Sequence, residues 1–164
     1  MIHCLLFDLG ETLTEKMIDS VSPLDELPLV AFHDAIPTLE RLKNQGYKLA
    51  VISNTCQSGD LVVSRAIERI GLRHFFDAVV TSVDAGCEKP APKIFLDALD
   101  RVSCHPSESV MIGDNPIADI DGASKLGLRT ILIQRGSLTS SSQGGNPSFI
   151  VSSLSEIPAI VCLW

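Results

Sequence analysis

Six short apolar runs of strand length alternate along this 164-residue chain with longer stretches of helical period, and that alternation leaves few folds open. Two strands joined through a helix lie parallel, because the helix carries the chain back along the sheet. The runs at 2–7, 48–52, 78–81, 110–112, 130–133 and 149–151 are the expected strands. Helices are expected at 37–45, 61–70, 92–101 and 117–126. Leu39 and Leu42 share one face of the first helix, which has Pro37 in its opening turn and Gly46 as its stop. Gly71 and Gly127 stop the second and the fourth, and Ser153 and Glu156 stand at capping-box spacing in the tail. The pattern predicts an α/β fold, a doubly wound parallel sheet in a Rossmann-like three-layer sandwich. Residues 1–164 suffice for a single domain and are too few for two ordinary ones.

Open sheets of this kind bind ligands at the carboxyl ends of their strands, and the reactive residues of this chain fall there. Asp8 follows the first run, Ser53 and Asn54 the second, and Asp114 the fourth, with Asp119 just beyond. Lys89 lies between a strand and a helix that opens on proline. Two carboxylates about 4 Å apart repel by about 4 kcal/mol at an effective dielectric near 20, so Asp8 and Asp114 brought together need a cation. Mg²⁺ suits them, being a hard ion that takes one or two carboxylates together with waters and a phosphate. Asp8 would then attack phosphorus and form an aspartyl-phosphate for water to hydrolyse. Lys89 offers a compact positive charge to a phosphate or to the acids. Ser53 can give its hydroxyl, and Asn54 the neighbouring N–H, to a phosphate oxygen. Residues 137–146, rich in Ser and Gly, read as a mobile loop overhanging the same edge, and Arg135 just before it is expected to meet an anionic part of the substrate.

Four of these segments, in this order, resemble the haloacid dehalogenase superfamily, most of whose members are Mg²⁺-dependent phosphohydrolases. The first is Asp8-Leu9-Gly10-Glu11-Thr12, the second Ser53, the third Lys89 in Glu88-Lys89-Pro90, and the fourth Gly113-Asp114 with Asp119. The resemblance implies metal ligation by the Asp8 side chain, the Gly10 carbonyl and Asp114. It implies that Asp119, behind them, holds Lys89 or a metal-bound water. The chain departs from the family pattern at Gly10, where an aspartate usually serves as general acid and base, help worth about 10²–10⁴-fold. Glu11 is adjacent and could substitute if its loop turns inward. A second departure is the lack of room for a cap. The stretches 14–33 and 54–88 are too short for a further folded unit, so the site should be open, or covered by residues 14–30, by the 137–146 loop or by another subunit.

Composition narrows the partners. Apolar residues make up 45% and charged residues 20% of the chain, a soluble globular balance. No apolar run approaches the ~18 residues of a membrane span. A net charge of −7 argues against nucleic acid and anionic membranes. Five cysteines without a Cys-x-x-Cys suggest neither a disulfide framework nor a zinc site. No basic segment precedes the first apolar run, so no signal peptide is read, and the cytoplasm is the expected compartment. The expected substrate is a phosphorylated small molecule, although an open site also admits a larger one. No feature specifies an oligomer. The leading reading is a Mg²⁺-dependent phosphomonoester phosphatase. The Gly10 departure keeps two alternatives: a phosphate- and metal-binding regulatory module that has lost turnover, and a dehalogenase-like hydrolase. A phospho-accepting receiver domain fits less well, since receivers pair their acids at the first strand and accept phosphate at the third.

Overall fold

Side chains alternate between the two faces of a strand, and β1 (Cys4–Phe7), which is buried throughout, feeds two cores at once. Leu5 and Phe7 enter one apolar cluster, while Cys4 and Leu6 enter the other. The computed structural model describes residues 1–15, 22–136 and 144–164. Following β1 in the chain are α1 (Ala35–Asn44), β2 (Lys48–Ser53), α2 (Asp60–Arg69), β3 (Ala78–Thr81), α3 (Ser82–Ala85) and α4 (Pro92–Arg101). Then come β4 (Ser109–Gly113), α5 (Gly122–Ser124), β5 (Arg129–Ile133), β6 (Phe149–Val151) and α6 (Ile157–Val161). The sheet is parallel throughout and runs β3-β2-β1-β4-β5-β6.

Helices α1, α2 and α6 cover the face that carries Leu5, Phe7, Val51 and Ile112. On the opposite face α4 lays down Ile94, Phe95, Ala98 and Leu99, a single stripe of helical period, over Leu6, Ile52 and Met111. Each fully buried Leu, Ile or Phe contributes about 1.5–3 kcal/mol by leaving water, and these residues hold the three layers together. The doubly wound sandwich expected from the sequence is therefore the observed fold. Among the described residues, no further folded unit separates Thr14 from Asp34 or Asn54 from Glu88.

Strand order reverses at β1. The chain builds β2 and β3 on one side, then returns to build β4 to β6 on the other. A crevice opens at such a switch point, and register puts specific residues there. Phe7 pairs with Val51 and with Ile112, so Asp8 emerges beside Ile52 and Gly113. The Asp8 N–H donates to the Ile112 carbonyl at 2.9 Å.

Two expectations need correction. The first is the regular helix over 117–126, because Pro116–Asp121 winds as a π-helix and only the short α5 follows. The side-chain oxygen of Asn115 accepts the N–H groups of Ile117 (3.0 Å) and Ala118 (2.9 Å). The Asn115 carbonyl accepts from Asp119 (3.0 Å) and, five residues on, from Ile120 (3.4 Å). An asparagine that competes for backbone donors thus widens the first turn, and such π segments recur at functional sites.

The second correction concerns Arg135, which does not line the crevice. Its guanidinium forks onto Asp34 (3.0 and 2.9 Å), donates to the Thr12 carbonyl (3.1 Å) and lies over the Phe32 ring. Asp34 also accepts from the Ser153 hydroxyl (2.7 Å) and the Leu154 N–H (2.9 Å). Burial pushes the Asp34 carboxyl up, but these donors outweigh it and hold it below the usual carboxylate range. The clamp ties the end of β5 to the loop after β1 and to the tail. Of the 137–146 loop, residues 137–143 lie outside the described residues, as do 16–21 of the segment expected to cover the site. Gly144 and Gly145 stand against Ile117 and Pro116, next to the π-helix.

Removing one partner of a buried ion pair strands the other. Arg135→Ala should therefore lower the unfolding free energy by about 3 kcal/mol, read from urea midpoints. A loss below about 0.5 kcal/mol would instead mean that solvent screens this pair as it does surface pairs.

Candidate active site

Lys89 is the anchor of the crevice. Its side chain is 2% exposed, and all three of its ammonium protons are used. They reach Asp8 Oδ1 at 2.6 Å, Asp119 Oδ1 at 2.7 Å and the Ile52 carbonyl at 2.9 Å. Burial pulls the ammonium down, but Asp119 and Asp8 more than compensate and hold it charged above the ordinary lysine range. The Asn54 side chain fixes the Lys89 backbone, accepting from its N–H (2.8 Å) and donating to its carbonyl (3.0 Å). The Asn54 side-chain amide is thereby committed to Lys89, and the phosphate contact expected of Asn54 falls to its backbone N–H.

Asp119 reaches the site from inside the π-helix. Its second oxygen, Oδ2, accepts the Asn115 N–H at 3.0 Å, so the β4 turn closes around the carboxylate. Gly113 is needed for this: a Cβ there would stand 2.2 Å from Asp119 Oδ2, closer than any real contact. Sequence reasoning gave no such part to Gly113 or Asn115. The signal that could have found the latter is Asn115-Pro116, a good N-cap residue followed by proline at the first helical position.

Carboxylate oxygens of Asp8, Asp114 and Asp119 all lie within 4.8 Å of one another. Lys89 pairs with Asp8 and Asp119, whereas among the described residues no lysine or arginine pairs with Asp114. Burial, then Asp8, Asp119 and Glu11, push the Asp114 carboxyl up to about 7. Asp8 is also raised, mainly by burial, with Lys89 opposing and Asp119 adding. Such a cluster is what a divalent cation with hard oxygen preference would relieve. Among the described residues no thiol or imidazole joins the set, so the donors are all oxygen and suit a hard divalent cation.

A cleft of about 230 Å³ opens over these groups. Gly10, Glu11, Ser53 and Asn115 line it together with the acids and Lys89. Glu11 adopts a left-handed backbone, φ 58°, a conformation rare for a residue with a side chain and often found at functional sites. The loop does turn Glu11 into the cleft lining. Of the sequence-expected site residues, Asp8, Gly10, Glu11, Ser53, Asn54, Lys89, Asp114 and Asp119 converge, and Arg135 stays outside.

A sequence profile described as haloacid dehalogenase-like hydrolase matches residues 6–133. The chain belongs to that family. Over 110 residues it is 40% identical to a glyceraldehyde 3-phosphate phosphatase of Methanopyrus kandleri, covering 66% of this chain and 45% of that protein. Over 136 residues it is 33% identical to an (S)-2-haloacid dehalogenase 4A of Burkholderia cepacia, covering 79% of this chain and 54% of the other. The chain thus spans about half the length of these curated relatives. A solved structure of an uncharacterized protein from Listeria monocytogenes serotype 4b superposes with a TM-score of 0.85 at 29% identity, covering 99% of this chain and 98% of that one.

The raised acids fix a pH dependence. Unfolded aspartates titrate near about 3.9, so between about pH 4 and 7 the native protein binds more protons than the unfolded chain. Stability falls with rising pH wherever the native state binds more protons. Metal-free protein should therefore become more stable as pH drops from 8 through the Asp114 value of about 7 towards 5, and Asp114→Asn should flatten the profile. Asp34, held low by its donors, acts at the acid end, below this window. Urea midpoints at intervals across the range measure it, and a midpoint that rises with pH would contradict the assignment.

Proposed function

We propose that this chain hydrolyses phosphomonoesters with the help of Mg²⁺, and that Asp8 carries the phosphoryl group as an aspartyl-phosphate. One observation carries the reading: three carboxylates converge within 4.8 Å while the buried Lys89 ammonium pairs with two of them. The third, Asp114, then has a cation-shaped deficit at the mouth of the sheet. Asp8, the Gly10 carbonyl and Asp114 would hold the metal, and Asp119 would act through Lys89. Bound there, Mg²⁺ would offset phosphate charge and so admit an anionic nucleophile.

The chain's own residues supply the rest. Lys89 keeps Asp8 ionised by holding Oδ1, which leaves the other oxygen to attack phosphorus. As that O–P bond forms, the ester P–O bond breaks and the leaving oxygen takes a proton. Water then attacks the acyl phosphate, releasing phosphate and restoring the carboxylate. Ser53 and the Asn54 N–H are the proposed phosphate hydrogen bonds, and Lys89, its protons held by Asp8, Asp119 and the Ile52 carbonyl, would act on the phosphate through its charge. Glu11 is the candidate proton donor, since Gly10 has no side chain to give one.

The name of the archaeal relative supports a small phosphorylated molecule as substrate. Five cysteines, none of them in a disulfide, fit a reducing cytoplasm, and no helix among the described residues is long and apolar enough to cross a membrane. Gly10 supports a second reading, in which phosphate and metal still bind but turnover is slow. The acids that remain at Asp114 and Asp119 support phosphate chemistry over dehalogenation.

Hydrolysis of an aryl phosphate should vanish in EDTA, return with Mg²⁺, and drop by about 10³-fold or more in Asp8→Asn. Full rate in EDTA, or an active Asp8→Asn protein, would overturn the mechanism. Stoichiometric phosphorylation without turnover would favour the binding module. Glu11→Gln should slow alkyl phosphates by about 10²-fold and aryl phosphates far less, because only the poor leaving group needs its proton. Gly10→Asp should raise the alkyl rate, and kcat on matched alkyl and aryl esters measures both.

A further inference from the structure

We infer that the phosphomonoesters taken by this site have a leaving group without anionic charge, and that an amine-bearing leaving group is preferred to a carboxylate-bearing one. This rests on the phosphatase reading and adds the substrate's charge to it. Among the described residues, four acidic residues line the cleft, Asp8, Glu11, Asp114 and Asp119, against one cation, Lys89. The five remaining lining residues are uncharged. Lys89 has no proton to give an anion on the leaving group, since all three are held by Asp8, Asp119 and the Ile52 carbonyl. Arg135, which could have met one, is forked onto Asp34 and outside the cleft.

The direction of the leaving group follows from burial. Asp8, Ser53, Lys89 and Asp119 form the buried floor that the phosphate must meet, whereas Glu11 and Asn115 are exposed. A leaving group therefore passes outward beside Glu11. A divalent cation and Lys89 together still fall short of four carboxylates, and an arriving phosphate dianion makes the deficit larger. A further anion on the leaving group would meet that uncompensated field, while an ammonium would meet the Glu11 carboxylate. Selection of this kind works by leaving the wrong partner's charge unpaired.

Three two-carbon esters that differ in one group test it: phosphoethanolamine (amine), ethylene glycol monophosphate (hydroxyl) and phosphoglycolate (carboxylate). With Mg²⁺ present, kcat/KM should fall in that order, by about tenfold from first to last, and the spread should narrow to about twofold at 0.5 M salt. Ala118→Arg, which adds a cation to the cleft lining, should raise phosphoglycolate relative to phosphoethanolamine by about tenfold. Glu11→Gln should move the same ratio in the same direction, because a proton-donor role alone would slow all three alike. If p-nitrophenyl phosphate and all three esters are inert, the phosphatase reading fails and takes this inference with it. If p-nitrophenyl phosphate is hydrolysed but phosphoglycolate matches or beats phosphoethanolamine, the inference alone is overturned. A preference that ignores both salt and the two variants would be one of shape, and would overturn it as well.

Discussion

A lysine ammonium buried at the switch point of the sheet organises the rest of this molecule. Removing such a charge from water costs several kcal/mol after relaxation, and only a full set of partners makes it tolerable. Lys89 has them: two carboxylates and a main-chain carbonyl, all within 2.9 Å. Each partner comes from a different piece of chain, namely the end of β1, the end of β2 and the turn after β4. Four segments distant in sequence are therefore held in one place by a single group. The Asn54 side chain completes the arrangement by gripping the Lys89 backbone on both sides.

The surroundings of that ammonium are built from departures from regular backbone. Gly113 lets Asp119 approach where a methyl group would collide. The π-helix re-aims Asp119 back toward β4, and Asn115 supplies the donors and acceptors that keep the widened turn in place. Glu11 sits at a positive φ, a local cost of order 1 kcal/mol. These costs are offset by two apolar cores, one on each face, fed by alternating strand residues.

Two carboxylates share this edge and have different fates. Asp34 and Arg135 are sealed by Ser153, Leu154 and Thr12, and the donors around Asp34 hold its carboxyl low. Asp114 faces a cleft, has no cation beside it among the described residues, and is held high. The difference between a structural clamp and a reactive cluster lies in how many donors surround each carboxylate. That number depends on segments more than a hundred residues apart, as in the Arg135 bond to Asp34.

Strand and helix periods in the sequence determined the layers. Apolar runs can satisfy both faces only in a covered parallel sheet, and its carboxyl edge then receives Asp8, Ser53, Lys89 and Asp114. The boundaries of β3, β6 and α4 follow directly from the apolar runs and the proline at the head of the helix. The same logic failed for 117–126, because a hydrophobic period does not reveal an asparagine that captures two backbone donors. It failed for Arg135 too, since proximity in sequence to a reactive strand end does not say which carboxylate a guanidinium will find. Tertiary structure alone decided that Lys89 bridges Asp8 and Asp119, that Asn54 serves Lys89, and that Glu11 enters the cleft lining. Those outcomes are set by short-range geometry and charge balance between distant segments, which no local pattern encodes.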